Sequence, residues 1–109
     1  MFKFVKDRII KNWPAVARIA LDNGEVAECP FQVDLKLLSA ERYAELAPQG
    51  DAALLKEMVT GWSGIQGEEG KELPATAENK AALANDRPFV HAVLRAYQDA
   101  LNGEAAVKN

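Results

Sequence analysis

The segment Gly61-Trp62-Ser63-Gly64-Ile65 comes closest to a catalytic arrangement in this chain. A nucleophile elbow reads Gly-x-Ser-x-Gly and holds its serine on a sharp strand-to-helix turn, within reach of a histidine base. Ile65 stands where the last glycine belongs, and the segment follows a predicted helix. His91, the only histidine, falls on another predicted helix, where a lone imidazole is usually structural or exposed. The glycines at 61, 64, 67 and 70, with Lys71 after them, invite a phosphate-loop reading. That loop ends Gly-Lys-Ser/Thr, because the hydroxyl holds the magnesium of the bound nucleotide. Here Glu72 follows Lys71, and Ile65 stands where the opening glycine should be. Turns and close backbone contacts explain these glycines better.

Glu68, Glu69 and Glu72 form the densest acidic cluster. Paired carboxylates do acid–base work when burial drives their pKa values apart, whereas these, beside Gly67, Gly70 and Lys71, read as exposed. A single cysteine, Cys29, excludes an internal disulfide, and with one histidine it cannot complete a zinc site. No loop has the regular acidic spacing of a calcium site. The residues therefore call for no catalytic set, metal or cofactor, and the expectation is a protein that acts by contact.

The elements that position these residues follow from periodicity. At 109 residues the chain is expected to form one domain that buries about 65% of its unfolded surface. Trp13-Pro14 opens a strand running to Leu21, and Asp22-Asn23-Gly24 is a strong turn signal. Beyond it Ala27, Cys29, Phe31, Val33, Leu35 and Leu37 alternate with Glu28, Gln32, Asp34 and Lys36, which predicts a strand with one buried face. Pro30 puts that strand at an edge or a bulge. Residues 2–10 are a candidate third strand.

From Ser39 the period turns helical. A short helix over about 40–47, capped by Ser39, ends before Pro48-Gln49-Gly50. Asp51 then caps a second helix, whose stripe is Leu54, Leu55, Met58, Val59 and Trp62. Residues 61–74 read as a glycine-rich connector, a small hairpin or compact loop pinned by Ile65 and Leu73. Thr76 caps a third helix to about Asn85. A fourth starts at Asp86-Arg87-Pro88, carries Phe89, Val90, Val93, Leu94, Tyr97 and Leu101, and closes at Asn102-Gly103. The expected fold is α+β: an N-terminal antiparallel hairpin or small sheet over 1–37, then about four helices over 38–103 packed on one face, and a loose tail at 104–109.

Charge is uneven. Lys3, Lys6, Arg8, Lys11 and Arg18 crowd residues 1–20 against Asp7, while Glu41, Glu45, Asp51, Glu57, Glu68, Glu69, Glu72 and Glu78 dominate 41–78. Two solvated faces account for this; a basic end of one copy meeting an acidic surface of another is the sharper alternative. The net charge of −3 argues against general nucleic-acid binding. Phe2 and Phe4 among lysines fit a strand better than a single-stranded nucleic-acid platform. The charged first residues do not read as an export signal, and no run is long enough for a membrane span. Trp13 and Trp62 read first as core anchors, with a protein-binding surface, where tryptophan is enriched, as the alternative.

The run Glu57-Met58-Val59-Thr60-Gly61-Trp62-Ser63-Gly64-Ile65, then Glu68-Glu69-Gly70 and Leu73-Pro74, resembles a family of small tail assembly chaperones of long-tailed phages. In that family a helix enters Gly-Trp-x-Gly-[Ile/Val], followed by an acidic, glycine-containing turn and Leu-Pro. The likeness continues through Thr76-Ala77-Glu78-Asn79, the last helix with Val90, Ala96, Tyr97, Leu101 and Gly103, and the ending Lys108-Asn109. Trp13-Pro14, the hairpin and Phe31 match more loosely. Ala75 replaces a bulkier apolar residue, and Gln66-Gly67 a more acidic stretch.

The resemblance implies a non-enzymatic, cytoplasmic factor of phage or prophage tail assembly, absent from the finished virion. It would engage the tape-measure protein and tail-tube subunits, and self-associate. It also implies a longer product made by ribosomal slippage, for which Lys108-Asn109 is a candidate place. Candidate partner-binding residues are Trp13, Trp62, Ile65 and Leu73. Rival readings are a tail-completion or head–tail connector protein of the virion, and a prophage protein directed at the host.

Overall fold

Asn23 and Gly24 adopt positive φ angles of 62° and 79°, and the turn they make reverses the chain in the computed structural model, which describes residues 1–104. Two long strands flank the turn: β1 (Arg8–Ala20) and β2 (Val26–Leu37). They pair antiparallel from Ala20↔Val26 down to Arg8↔Leu37. There follow α1 (Ala40–Leu46), α2 (Asp51–Met58), β3 (Val59–Ser63), α3 (Ala77–Leu83) and α4 (Arg87–Leu101). The class is α+β: a three-stranded antiparallel sheet in the order β1-β2-β3, with four helices. Of the expected tail at 104–109, residues 105–109 lie outside the described residues, and with them the family-like ending Lys108-Asn109.

The third strand is not where residues 2–10 suggested. Residues 1–7 form no strand, and Arg8–Ile10 are the start of β1 itself. Between them and Trp13 the ladder slips: Asn12 takes a φ of 54°, and its amide donates to the Asp34 carboxylate at 2.8 Å. A bulge bends the strand there, but no turn lets the first residues fold back to pair. The third strand comes instead from Val59–Ser63, read in sequence as the end of a helix and the start of the connector. Val59 and Thr60 are β-branched and Gly61 is a poor helix former, so α2 stops at Met58. The next residues pair with Gln32–Leu35.

Because β3 is short, β2 is a central strand over 32–35 and an edge strand beyond, where Pro30 sits. The missing amide of Pro30 therefore need not interrupt a ladder.

Ser39 and Thr76 cap α1 and α3 as predicted, and Asp86, at the predicted start of the fourth helix, caps α4; they accept amide hydrogen bonds at 3.1 Å from Arg42, Asn79 and Phe89. Asp51 does not cap α2. Gly50 takes the N-cap position, and Asp51 is the first helical residue, where its charge still favours the positive helix end. At the other end of α2, the Lys80 ammonium of α3 donates to the carbonyls of Lys56 and Val59, each at 3.0 Å. These are the groups a helix terminus leaves unpaired.

Leu35, Leu55, Met58, Val33, Val59 and Val93 are the largest fully buried side chains, each stabilising by about 1.5–3 kcal/mol. Val33 has Trp13 opposite it on β1 and Trp62 on β3, so one row crosses the sheet as Trp-Val-Trp. α4 lies against β1 and β2. Its Phe89 stacks on Phe31 with ring centres 5.6 Å apart and meets the edge of Trp62 at 6.4 Å. Tyr97 accepts a 2.9 Å hydrogen bond from the Leu38 amide, which ties α4 to the end of β2.

Candidate partner-binding surface

The β1–β2 hairpin extends past the end of β3, and its projecting half has no third strand beside it. The strand faces there alternate as they do in the core, so Ala17, Ile19 and Cys29 still face inward, where the sheet has run out. They form one wall of an open groove of about 270 Å³, with Phe31 at its base. The connector contributes Gly64, Ile65 and Gln66; the α3–α4 junction contributes Leu83, Asp86, Pro88 and Phe89. Small-ligand pockets usually run from about 300 to 1,000 Å³, so this groove suits one or two side chains of a partner better than a cofactor. Apart from Asp86 and Gln66, its lining is apolar or glycine.

The connector wall is built by backbone pairing. Gln66 and Glu72 form an antiparallel bridge; the Leu73 amide donates to the Ile65 carbonyl at 2.8 Å and Gly67 to Lys71 at 2.9 Å. The Trp62 indole donates to the Leu73 carbonyl at 2.9 Å. Thus three of the four candidate residues, Trp62, Ile65 and Leu73, are brought together, all half-buried. Trp13 lies across Val33 from Trp62, also half-buried, and its indole N–H is buried with no acceptor among the described residues. Only Ile65 of the four lines the groove. Sequence reading passed over Ala17, Ile19, Leu83 and Phe89 as groove residues. Ala17 and Ile19 carry an inward-facing signal in their spacing, but nothing in residue type distinguishes a groove wall from a core.

Serine and histidine chemistry gains nothing from the fold. The Ser63 hydroxyl donates to Gln32 Oε1 at 3.3 Å, and His91 is exposed on α4. Glu72 accepts from the Gly64 amide at 3.2 Å, while Glu68 and Glu69 are exposed. Among the described residues no group of three His, Cys, Asp or Glu side chains is placed to hold a metal, and no helix is long and apolar enough to cross a membrane.

Groups whose ionisation the fold shifts do not line the groove. Burial pushes the Tyr97 phenol up. A two-pronged hydrogen bond, Arg42 Nε to Glu57 Oε1 at 2.9 Å and Nη2 to Oε2 at 2.6 Å, holds the Glu57 carboxyl below its ordinary range and raises the Arg42 guanidinium. Both arrangements hold helices in place.

Comparison with protein-family models, with curated proteins and with solved structures returns no match. The chemistry of the surface has to be read from the chain itself. Apart from the groove, the largest exposed apolar groups are Met1, Phe2 and Phe4, with Phe2 and Phe4 79% and 81% exposed. The Arg8 guanidinium lies 5.7 Å from the Phe2 ring centre and donates to the Lys3 carbonyl at 3.0 Å. An exposed cation–π contact of this kind contributes only about 0.5–1 kcal/mol.

Proposed function

We propose that this chain is a non-enzymatic assembly chaperone of a phage or prophage tail, acting in the host cytoplasm on tape-measure and tail-tube proteins. The observation that carries the reading is the open apolar groove beside the projecting hairpin, with Asp86 and Gln66 as its polar edge. Reversible cover of a partner's assembly surface needs an apolar patch with a polar rim, and no bond-making group. The Gly61-Trp62-Ser63-Gly64-Ile65 segment supports it from another side: the residues that resemble the chaperone family also build the groove's connector wall. On this reading the four helices share one face of the sheet, and the hairpin reaches beyond them to the partner.

The test is co-expression with the tape-measure and tail-tube proteins encoded beside it. Copurification with either, loss of that capture in an Ile65→Asp variant, and absence of the chain from purified particles are the expected results. Stoichiometric presence in finished particles would replace the chaperone by a structural tail or connector protein. Capture of a host protein alone would point to a host-directed factor.

A further inference from the structure

We infer that the groove and the free edge of β2 take the N-terminal segment of a second copy, with Phe2 and Phe4 entering the groove and the backbone of residues 2–5 pairing along Val26–Cys29. The inference does not depend on the chaperone reading. Beyond the reach of β3 no strand among the described residues pairs with the outer edge of β2, and an unpaired edge is a template for another strand. The chain carries a segment of matching form. Phe2 and Phe4 are two residues apart, so an extended backbone turns both rings to one side and Lys3 to the other. Laid on that edge, the rings face the side of Ala27 and Cys29, where the groove is, and Lys3 faces the side of Glu28.

Charge agrees with the pairing. Lys3, Lys6, Arg8 and Lys11 surround the segment, while Asp22, Glu25 and Glu28 lie at the hairpin end, Asp86 lines the groove, and Glu68, Glu69 and Glu72 belong to the connector that walls it. Arg18, Lys71 and Arg87 offset part of that acidic surface, and Arg18 is already paired with Glu28 at 3.5 Å. Pro30 removes one donor from the edge, so pairing is confined to the residues before it.

The segment that enters must come from another copy. From Arg8 to Ala17 along β1 the chain advances about 30 Å, at about 3.3 Å per residue. Seven residues span at most about 25 Å, and Phe2 and Phe4 lie short of that limit, so they fall short of their own groove. Segment and groove are different surfaces, which makes the contact heterologous: one copy's segment enters the next copy's groove.

Cys29 lines the groove and is the only cysteine, which makes the test direct. In a Phe4→Cys variant under mild oxidation, the introduced thiol is expected to couple to Cys29 of another copy, giving a ladder of covalent oligomers. Adding Cys29→Ser should collapse the ladder to dimers. By light scattering after gel filtration, the unmodified chain should self-associate with concentration. Phe2→Ser with Phe4→Ser should weaken that association by about tenfold or more without altering the melting transition. A chain monomeric at every concentration, association insensitive to Phe2 and Phe4, or a disulfide closed within one copy would each overturn the proposal.

Discussion

The two ends of the hairpin obey the same alternation and meet different fates. At the row Trp13–Val33–Trp62 the sheet is three strands wide, α4 lies over it, and Val33 is 0% exposed. At the row Ala17–Cys29 it is two strands wide, and Cys29, on the same face, is exposed. Nothing in the strands' own composition accounts for this. The difference is made by β3, which stops at Ser63, and by where α4 runs. Apolar alternation therefore specifies a face, and a later segment decides whether the face becomes core or stays open.

Truncation at the two ends offers the largest contrast. Leu35→Ala, at the covered end, should cost about 2–5 kcal/mol, and Cys29→Ser, on the same face at the open end, within about 0.5 kcal/mol. Denaturant titration measures both, and equal losses would mean that the open end is buried in solution. Next comes Gly61, on β3. A Cβ there would lie 2.9 Å from Asp34 Oδ2, in the carboxylate that also accepts from the Asn12 amide. Gly61→Ala should cost about 1–3 kcal/mol and loosen the bulge, seen as faster exchange of the Asn12 amide.

The paired tryptophans refine the comparison. Trp62→Phe strands the Leu73 carbonyl and should cost about 1 kcal/mol more than the lost ring volume alone. Trp13→Phe removes a donor that has no acceptor among the described residues, so Trp62→Phe should prove the costlier of the two by the same titration.

The smallest effects are those of pH. Tyr97 has a raised pKa in the folded chain, so the stability it contributes is full below the ordinary tyrosine range and falls as pH climbs through the raised value. Glu57 has a lowered one, so its contribution holds above the ordinary carboxylate range and is lost as pH falls through the depressed value. Glu57 is exposed enough that Glu57→Gln should flatten the acid limb of a melting-temperature profile only slightly.

Much of this architecture was legible. The Asp22-Asn23-Gly24 turn, the alternation from Ala27 to Leu37 and the caps Ser39 and Thr76 are local signals, and local chemistry decided them. β3 was not legible, because Val59 and Trp62 continue the stripe of α2. What settles their fate is the edge of β2, more than twenty residues upstream. Residues 2–10 misled for the converse reason: they alternate, but the bulge at Asn12 is no substitute for a turn. The groove was half-visible. Ile65 was named for its place in the connector, whereas Ala17, Ile19 and Leu83 come from segments whose meeting no short-range pattern records.

The Lys80 ammonium bonded to the Lys56 and Val59 carbonyls bears on how the chain matures on the ribosome. Synthesis runs from the N-terminus, so all three strands emerge before the clamp that finishes the α2–β3 junction exists. Tyr97, which fastens the end of β2 through the Leu38 amide, arrives later still. The part of the nascent sheet that α2 does not reach therefore waits, its apolar side bare, until the last helix is released to cover it. The surface destined to be core is, for those moments, the one most in need of shelter.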